Sequence, residues 1–132
     1  VANAVAARKR PRSSMSPTIV TDSEGQLVLV IGSPGGSDII GYVARATIGI
    51  LDWNLPVQDA LASGNATARF GAVEAEPERW PAGIAETLTA RGWRLGPVEG
   101  QSGLHAIRVT PRGLEGGADP RGEGSVGRLP PQ

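Results

Sequence analysis

Two short stretches carry residues arranged to do chemistry. Ser13 and Ser14, within "KRPRSSMSPTIV", set two hydroxyls side by side on a segment that enters a strand. Adjacent hydroxyls in such a loop can both donate to one carboxylate, or they can cap or solvate a turn. Gly35 and Gly36, within "VLVIGSPGGSDII", stand between an apolar run and a helical pattern. Glycines at such a junction adopt positive φ and let a ligand approach the backbone. The helix start beyond them offers unpaired N–H groups and a partial positive charge. Strand, glycine turn and helix start together suit an anion, or the oxyanion of an acyl-transfer intermediate. The pattern lacks the Gly-Lys-Ser/Thr ending of a P-loop and is not Gly-x-Gly-x-x-Gly. A tight turn with no ligand satisfies it equally well.

Other candidates are weaker. Arg8, Lys9, Arg10 and Arg12 form a basic cluster without interleaved aromatics, a poor nucleic-acid signature and more often a solvated arm. The 13 basic and 13 acidic residues balance, so overall charge gives no attraction to nucleic acid or anionic membrane. His105 is the single histidine and cysteine is absent, which leaves no familiar His/Cys metal cluster, no disulfide and no thiolate chemistry. No metal or cofactor is expected. A Ser–His–Asp triad finds no nucleophile-elbow spacing here. No apolar run approaches the roughly 18 residues that span a bilayer.

The elements that must position the two stretches follow from periodicity. "PTIVT" and "LVLVI" predict two strands around the turn "DSEG", the second apolar on both faces and hence expected to be buried on both. Ile40, Val43, Ala44, Thr47, Ile48 and Leu51 fall at helical spacing, with Ser37 or Asp38 as N-cap. Further helices are predicted over 57–63, closed by Gly64 and Asn65, and over 82–90, stopped by Gly92. "WRLGPVEG" and "HAIRVTPRG" read as strands, with His105, Ile107 and Val109 on one face and Ala106, Arg108 and Thr110 on the other. Strands separated from a helical block imply a single α+β domain with a mostly antiparallel sheet. Residues 1–12 are expected as an extended arm, and the glycine- and proline-dense 113–132 as an irregular tail.

Taken in order, "KRPRSSMSPTIV", "LVLVIGSPGGSDII" and "GGADPRGEGSVG" resemble the small subunit of gamma-glutamyltransferases (gamma-glutamyltranspeptidases), over nearly the whole chain from Ala2 to Gly127. Cephalosporin and glutaryl acylases built on the same frame are close relatives. The resemblance implies part of the αββα sandwich of N-terminal-nucleophile hydrolases, in which self-cleavage yields a large and a small subunit. It implies that Ser13 and Ser14 hold the α-carboxylate of a gamma-glutamyl group, and that Gly35 and Gly36 form the oxyanion hole. The family nucleophile is a threonine opening the small subunit. None of the threonines here has that context, so the resemblance is to the C-terminal part of that subunit.

Several expectations follow from that resemblance. The parent enzyme cleaves gamma-glutamyl amides such as glutathione and passes the acyl group to water, amino acids or peptides. This chain by itself is inactive, and its partners are the rest of the small subunit and the large subunit of the same precursor. Isolated, it self-associates through uncovered apolar surface. Family habit places the enzyme in the periplasm or outside the cell. The alternatives are a non-catalytic carboxylate-binding module or a segment of a related acylase. In the family a glycine or asparagine is more usual where this chain has Arg8.

Overall fold

The computed structural model describes residues 4–69, 71–98 and 100–127. Ala2 and Asn3 of the motif region, Phe70, Glu99 of the expected strand and the closing "RLPPQ" lie outside the described residues.

The first hairpin forms as its residues dictate. Strands β1 (Thr18–Thr21) and β2 (Leu27–Gly32) pair antiparallel, with Thr18 opposite Ile31. Asp22 builds the turn: its Oδ1 accepts from the N–H groups of Glu24 and Gln26, both at 2.9 Å, while Gly25 takes φ 80. β2 then pairs with β6 (His105–Thr110), and β6 with β7 (Gly113–Ala118), all antiparallel, giving a four-stranded sheet in the order β1-β2-β6-β7. Gly113–Ala118 is therefore a strand, where the sequence suggested an irregular tail. Its three glycines hide it from any β-propensity argument, yet one of them is required. A Cβ on Gly117 would stand 2.8 Å from Val57 Cγ1, so only glycine lets the helix that starts at Val57 press onto this strand.

Helices α1 (Ile39–Leu51) and α2 (Val57–Ala62) cover one face of that sheet. Leu29, Ile31 and Ala106 from the sheet meet Ile39, Tyr42, Val43, Ala46, Ile50, Val57, Ala60 and Leu61 in a single core. The buried stripe of α1 is rotated by about one residue from the sequence expectation: Ile40 and Ile48 are 60% and 43% exposed. The reason is compositional. The helix is apolar on nearly every side, so periodicity does not choose its inward face, whereas the small Ala46 and Gly49 allow α2 to approach. The expected side-chain N-cap is absent too; Asp38 occupies that position but turns its carboxylate to Arg69. Glu115 on β7 instead accepts from Val57 N–H at 2.9 Å, supplying a carboxylate to the start of α2. Gln58 clasps the backbone of Ala118 in both directions, at 2.9 and 3.1 Å, and so covers the outer edge of β7.

A smaller three-stranded sheet, β3 (Ala66–Ala68), β4 (Val73–Ala75) and β5 (Leu95–Gly96), lies beside α3 (Ile84–Ala90). Of the expected strand "WRLGPVEG" only Leu95 and Gly96 pair, in parallel with β4, and β3 and β4 were not foreseen. The arm contains a turn, in which Lys9 N–H donates to Ala6 O at 3.2 Å and Arg8 takes φ 62. That left-handed conformation is why glycine or asparagine suits the position better.

Among the described residues the second face of the four-stranded sheet is covered only at one end, where Gly124 lies against His105 and Val126 against Gly116. Ile19, Val30, Ile107, Val109 and Leu114 are 38–74% exposed and lie on that face together. Among the described residues β2 is thus buried on one side only, against the expectation of two.

Candidate functional site

The hairpin explains how two motifs twenty residues apart come together. Thr18 faces Ile31 at the end of the β1–β2 ladder, so the residues before Thr18 and those after Gly32 leave from the same end of the sheet. Ser13 and Ser14 are on the first of these segments, Gly35 and Gly36 on the second. Arg12 Nη2 donates to Ser37 Oγ at 2.5 Å, joining them. Ser13 is exposed and its Oγ accepts from Met15 N–H at 3.4 Å, a weak bond that leaves the hydroxyl able to turn outward. Ser14 is half-buried, and its carbonyl accepts from Ser16 Oγ at 3.1 Å. His105 stands opposite Gly32 at this end of the sheet, and its Nδ1 lies 3.0 Å from Gly103 O.

The glycine turn is built for its conformation. Gly35 has φ 135 and Gly36 φ 58, both in territory that favours glycine. Their carbonyls accept from Asp38 and Ile39 N–H groups as the chain winds into a turn of 3-10 helix at Gly36–Asp38, then into α1. Ser33 Oγ accepts from Gly103 N–H at 3.2 Å and anchors the turn to the approach of β6. Below Gly35 lies the ring of Tyr42; a Cβ on Gly35 would come within 2.6 Å of Tyr42 Cε2. Burial, reinforced by the carboxylates of Asp38, Glu76 and Glu74, pushes the Tyr42 phenol up to about 12, so it is neutral at physiological pH. Asp38 is buried and its Oδ1 lies 3.0 Å from Arg69 Nε, an ion pair without hydrogen-bond alignment.

The motif "GGADPRGEG" forms a buried charged network. Arg121, its side chain 6% exposed, donates to Asp119 Oδ1 at 2.9 Å, to both oxygens of Glu76 at 2.7 and 2.5 Å, and to the carbonyls of Leu61 and Ser63. Asp119 Oδ2 accepts from Ser102 Oγ at 2.6 Å, and Ser102 Oγ accepts from Asn65 Nδ2 at 2.9 Å. Burial alone would raise both carboxyls. Hydrogen bonds outweigh it, from Arg121 and the Asn65 N–H to Glu76 and from Ser102 and Arg121 to Asp119, and hold both below the usual carboxylate range. This network binds β7, the α2–β3 connection and the end of β4 into one body behind the glycine turn.

A family model for gamma-glutamyltranspeptidase matches residues 1–129. The chain belongs to the gamma-glutamyltranspeptidase family. It is 35% identical to a glutathione hydrolase proenzyme of Pseudomonas aeruginosa, over 93% of this chain and 23% of that protein. An acylase ACY 1 proenzyme of Pseudomonas sp. strain V22 is 30% identical over 92% of the chain and 22% of its own length. Among solved structures, a W525D mutant of the gamma-glutamyltranspeptidase of Pseudomonas nitroreducens superposes with a TM-score of 0.81 at 33% identity, covering 99% of this chain and 70% of that one. The chain thus spans less than a quarter of the two curated relatives. The α+β class and the mostly antiparallel sheet with helices packed on it stand as expected, within the N-terminal-nucleophile hydrolase frame of this family.

Proposed function

We propose that this gamma-glutamyltranspeptidase family chain supplies the carboxylate clamp and the oxyanion turn of an enzyme that cleaves gamma-glutamyl amides. The observation that carries the proposal is the convergence of Ser13–Ser14 and Gly35–Gly36 at one end of the hairpin, bonded through Arg12 and Ser37. In this reaction Ser13 and Ser14 donate to the substrate α-carboxylate. The Gly35 and Gly36 N–H groups stabilise the oxyanion formed when a threonine from the remainder of the small subunit attacks the γ-carbonyl. The leaving amine departs, and the acyl group passes to water or to an amino acid or peptide. Without that threonine the chain is inactive.

The exposed part of that sheet face supports the same proposal. Ile19, Val30, Ile107, Val109 and Leu114 form an apolar surface suited to a second sheet, and relatives of this family are proenzymes. We assign its cover to the rest of the same precursor, in the periplasm or outside the cell. The acylase match favours a second reading, in which a different acyl group is cleaved. The paired hydroxyls of "SSM" favour the gamma-glutamyl group, because a substrate lacking the α-carboxylate has no use for both.

The test is the intact mass and N-terminal sequence of the native protein, captured from its own cells, with its turnover of gamma-glutamyl p-nitroanilide. The proposal expects a longer chain opening with threonine, a large-subunit partner and turnover. A native chain opening at Val1 or at an initiator Met, unpartnered and inactive, overturns it.

A further inference from the structure

Ser13–Ser14 and Gly35–Gly36 are each held in place, but by different parts of the fold. The glycine turn is fixed from below by Tyr42, from the side by the Ser33–Gly103 bond and beyond by the Asp38–Arg69 pair. The serines hang from the start of β1, where Ser16 and Thr18 make only local bonds to the carbonyls of Ser14 and Ser16. Neither set of contacts fixes the separation of the serines from the glycines. The Arg12–Ser37 hydrogen bond does, since Arg12 immediately precedes the serine pair and Ser37 immediately follows the glycine pair.

We propose that Arg12 is a positioning residue that sets the acyl-chain length the site accepts. The inference rests on the carboxylate-clamp and oxyanion-turn assignments above. A gamma-glutamyl group holds its α-carboxylate and its reacting carbonyl at opposite ends of a three-carbon spacer. When the carboxylate sits on Ser13 and Ser14, the carbonyl reaches Gly35 and Gly36 only if the two stations are one spacer apart. A planar guanidinium bonded to a hydroxyl on a helical turn is a stiff spacer, better suited to this than a flexible ammonium. Arg12 therefore touches no reacting atom and acts through Ser37.

The experiment uses the full mature protein with Arg12→Met, Ser37→Ala and the double variant. Two amides are compared: gamma-glutamyl p-nitroanilide and the one-methylene-longer δ-(2-aminoadipyl) p-nitroanilide. A pocket discriminating by one methylene reaches roughly 10- to 200-fold. Each single variant is expected to lower kcat/KM for the gamma-glutamyl amide by about tenfold to a hundredfold, the scale of a misplacement near 1 Å. The preference over the longer amide narrows with it, which a general loss of stability does not produce. The double variant is expected to match the worse single variant, because both remove one bond. An unchanged preference, or additive losses, overturns the proposal.

Hydrogen exchange covers the remaining case. If the unmodified mature protein turns over neither amide, the substrate assignment fails, and residues 13–16 and 33–37 then decide the tether. Faster exchange in both segments of Arg12→Met supports the spacer, and unchanged exchange overturns it.

Discussion

Replacing Arg121 with methionine is the perturbation whose size the structure fixes best. The side chain is 6% exposed and answers two carboxylates, Asp119 at 0% and Glu76 at 14% side-chain exposure, as well as two backbone carbonyls. Methionine fills most of the volume and donates nothing, so Asp119 is left without its counter-charge and Glu76 keeps only Arg79 at 4.0 Å. Removing one partner of a buried pair costs about 3–5 kcal/mol, a large share of the roughly 5–15 kcal/mol that holds a domain together. The internal control is Arg79→Met. Its guanidinium is 37% exposed and 4.0 Å from Glu76, so its loss costs less than about 1 kcal/mol. The assay is urea unfolding of the native protein read by tryptophan fluorescence, with Trp80 placed nearby through its bond to Gly64 O.

The pH dependence adds a sign. Glu76 and Asp119 have depressed carboxyls in the folded protein, so their contribution is present above the unfolded value near 4 and is lost as pH falls through the folded value. In the variant, burial is opposed only by the bonds that remain, from Asn65 N–H to Glu76 and from Ser102 and the Leu104 N–H to Asp119, so both carboxyls sit higher than in the parent. The two proteins therefore differ most at neutral pH and converge in acid. A variant within about 1 kcal/mol of the parent at neutral pH would refute the assignment of Arg121 as the counter-charge of this network.

Three further outcomes follow from local geometry. Gly35→Ala drives a Cβ to 2.6 Å from Tyr42 and should lower the melting temperature clearly, whereas Gly36→Ala meets no neighbour within 4 Å and loses only about 1–2 kcal/mol to its left-handed φ; equal losses would contradict this. Arg8→Gly relieves a left-handed residue at φ 62 on an exposed arm, and thermal melting should show a small gain or no change, with a marked loss contradicting the strain. Tyr42 is the only tyrosine of this chain, so the ultraviolet absorbance of the chain on its own reports it alone: its phenol should ionise at about 12 in the folded state, and stability should fall as pH rises from 10 toward 12. A folded-state midpoint near 10 would contradict its burial.

What the sequence disclosed follows a physical division. The β1–β2 hairpin, the glycine turn and the spans of α1 and α2 are set by local chemistry, by Asp22 and Gly25 in the turn and by apolar spacing in the helices. The inward face of α1 was not legible, because Ile40 and Ile48 are as apolar as the residues that are buried. β7 was hidden because its glycines serve close packing on α2 and carry no strand signal of their own. The Glu76–Arg121–Asp119 network joins residues up to 45 positions apart, which no window of local pattern contains. At the candidate site the serines and glycines were readable by type, while the link between them was not. Arg12 looked like one more charge in a solvated arm until the fold placed it on Ser37.

The central claim is that Ser13–Ser14 and Gly35–Gly36 act on the two ends of one acyl group. It is tested most directly by a crystal structure of the mature protein trapped with a glutamine-like electrophile. The account predicts the ligand carboxylate within hydrogen-bond reach of both Ser13 Oγ and Ser14 Oγ. It also predicts the acyl oxygen about 2.7–3.1 Å from the Gly35 and Gly36 nitrogens. A trapped ligand whose carboxylate lies on other residues, or whose oxygen points away from the glycine turn, would contradict it.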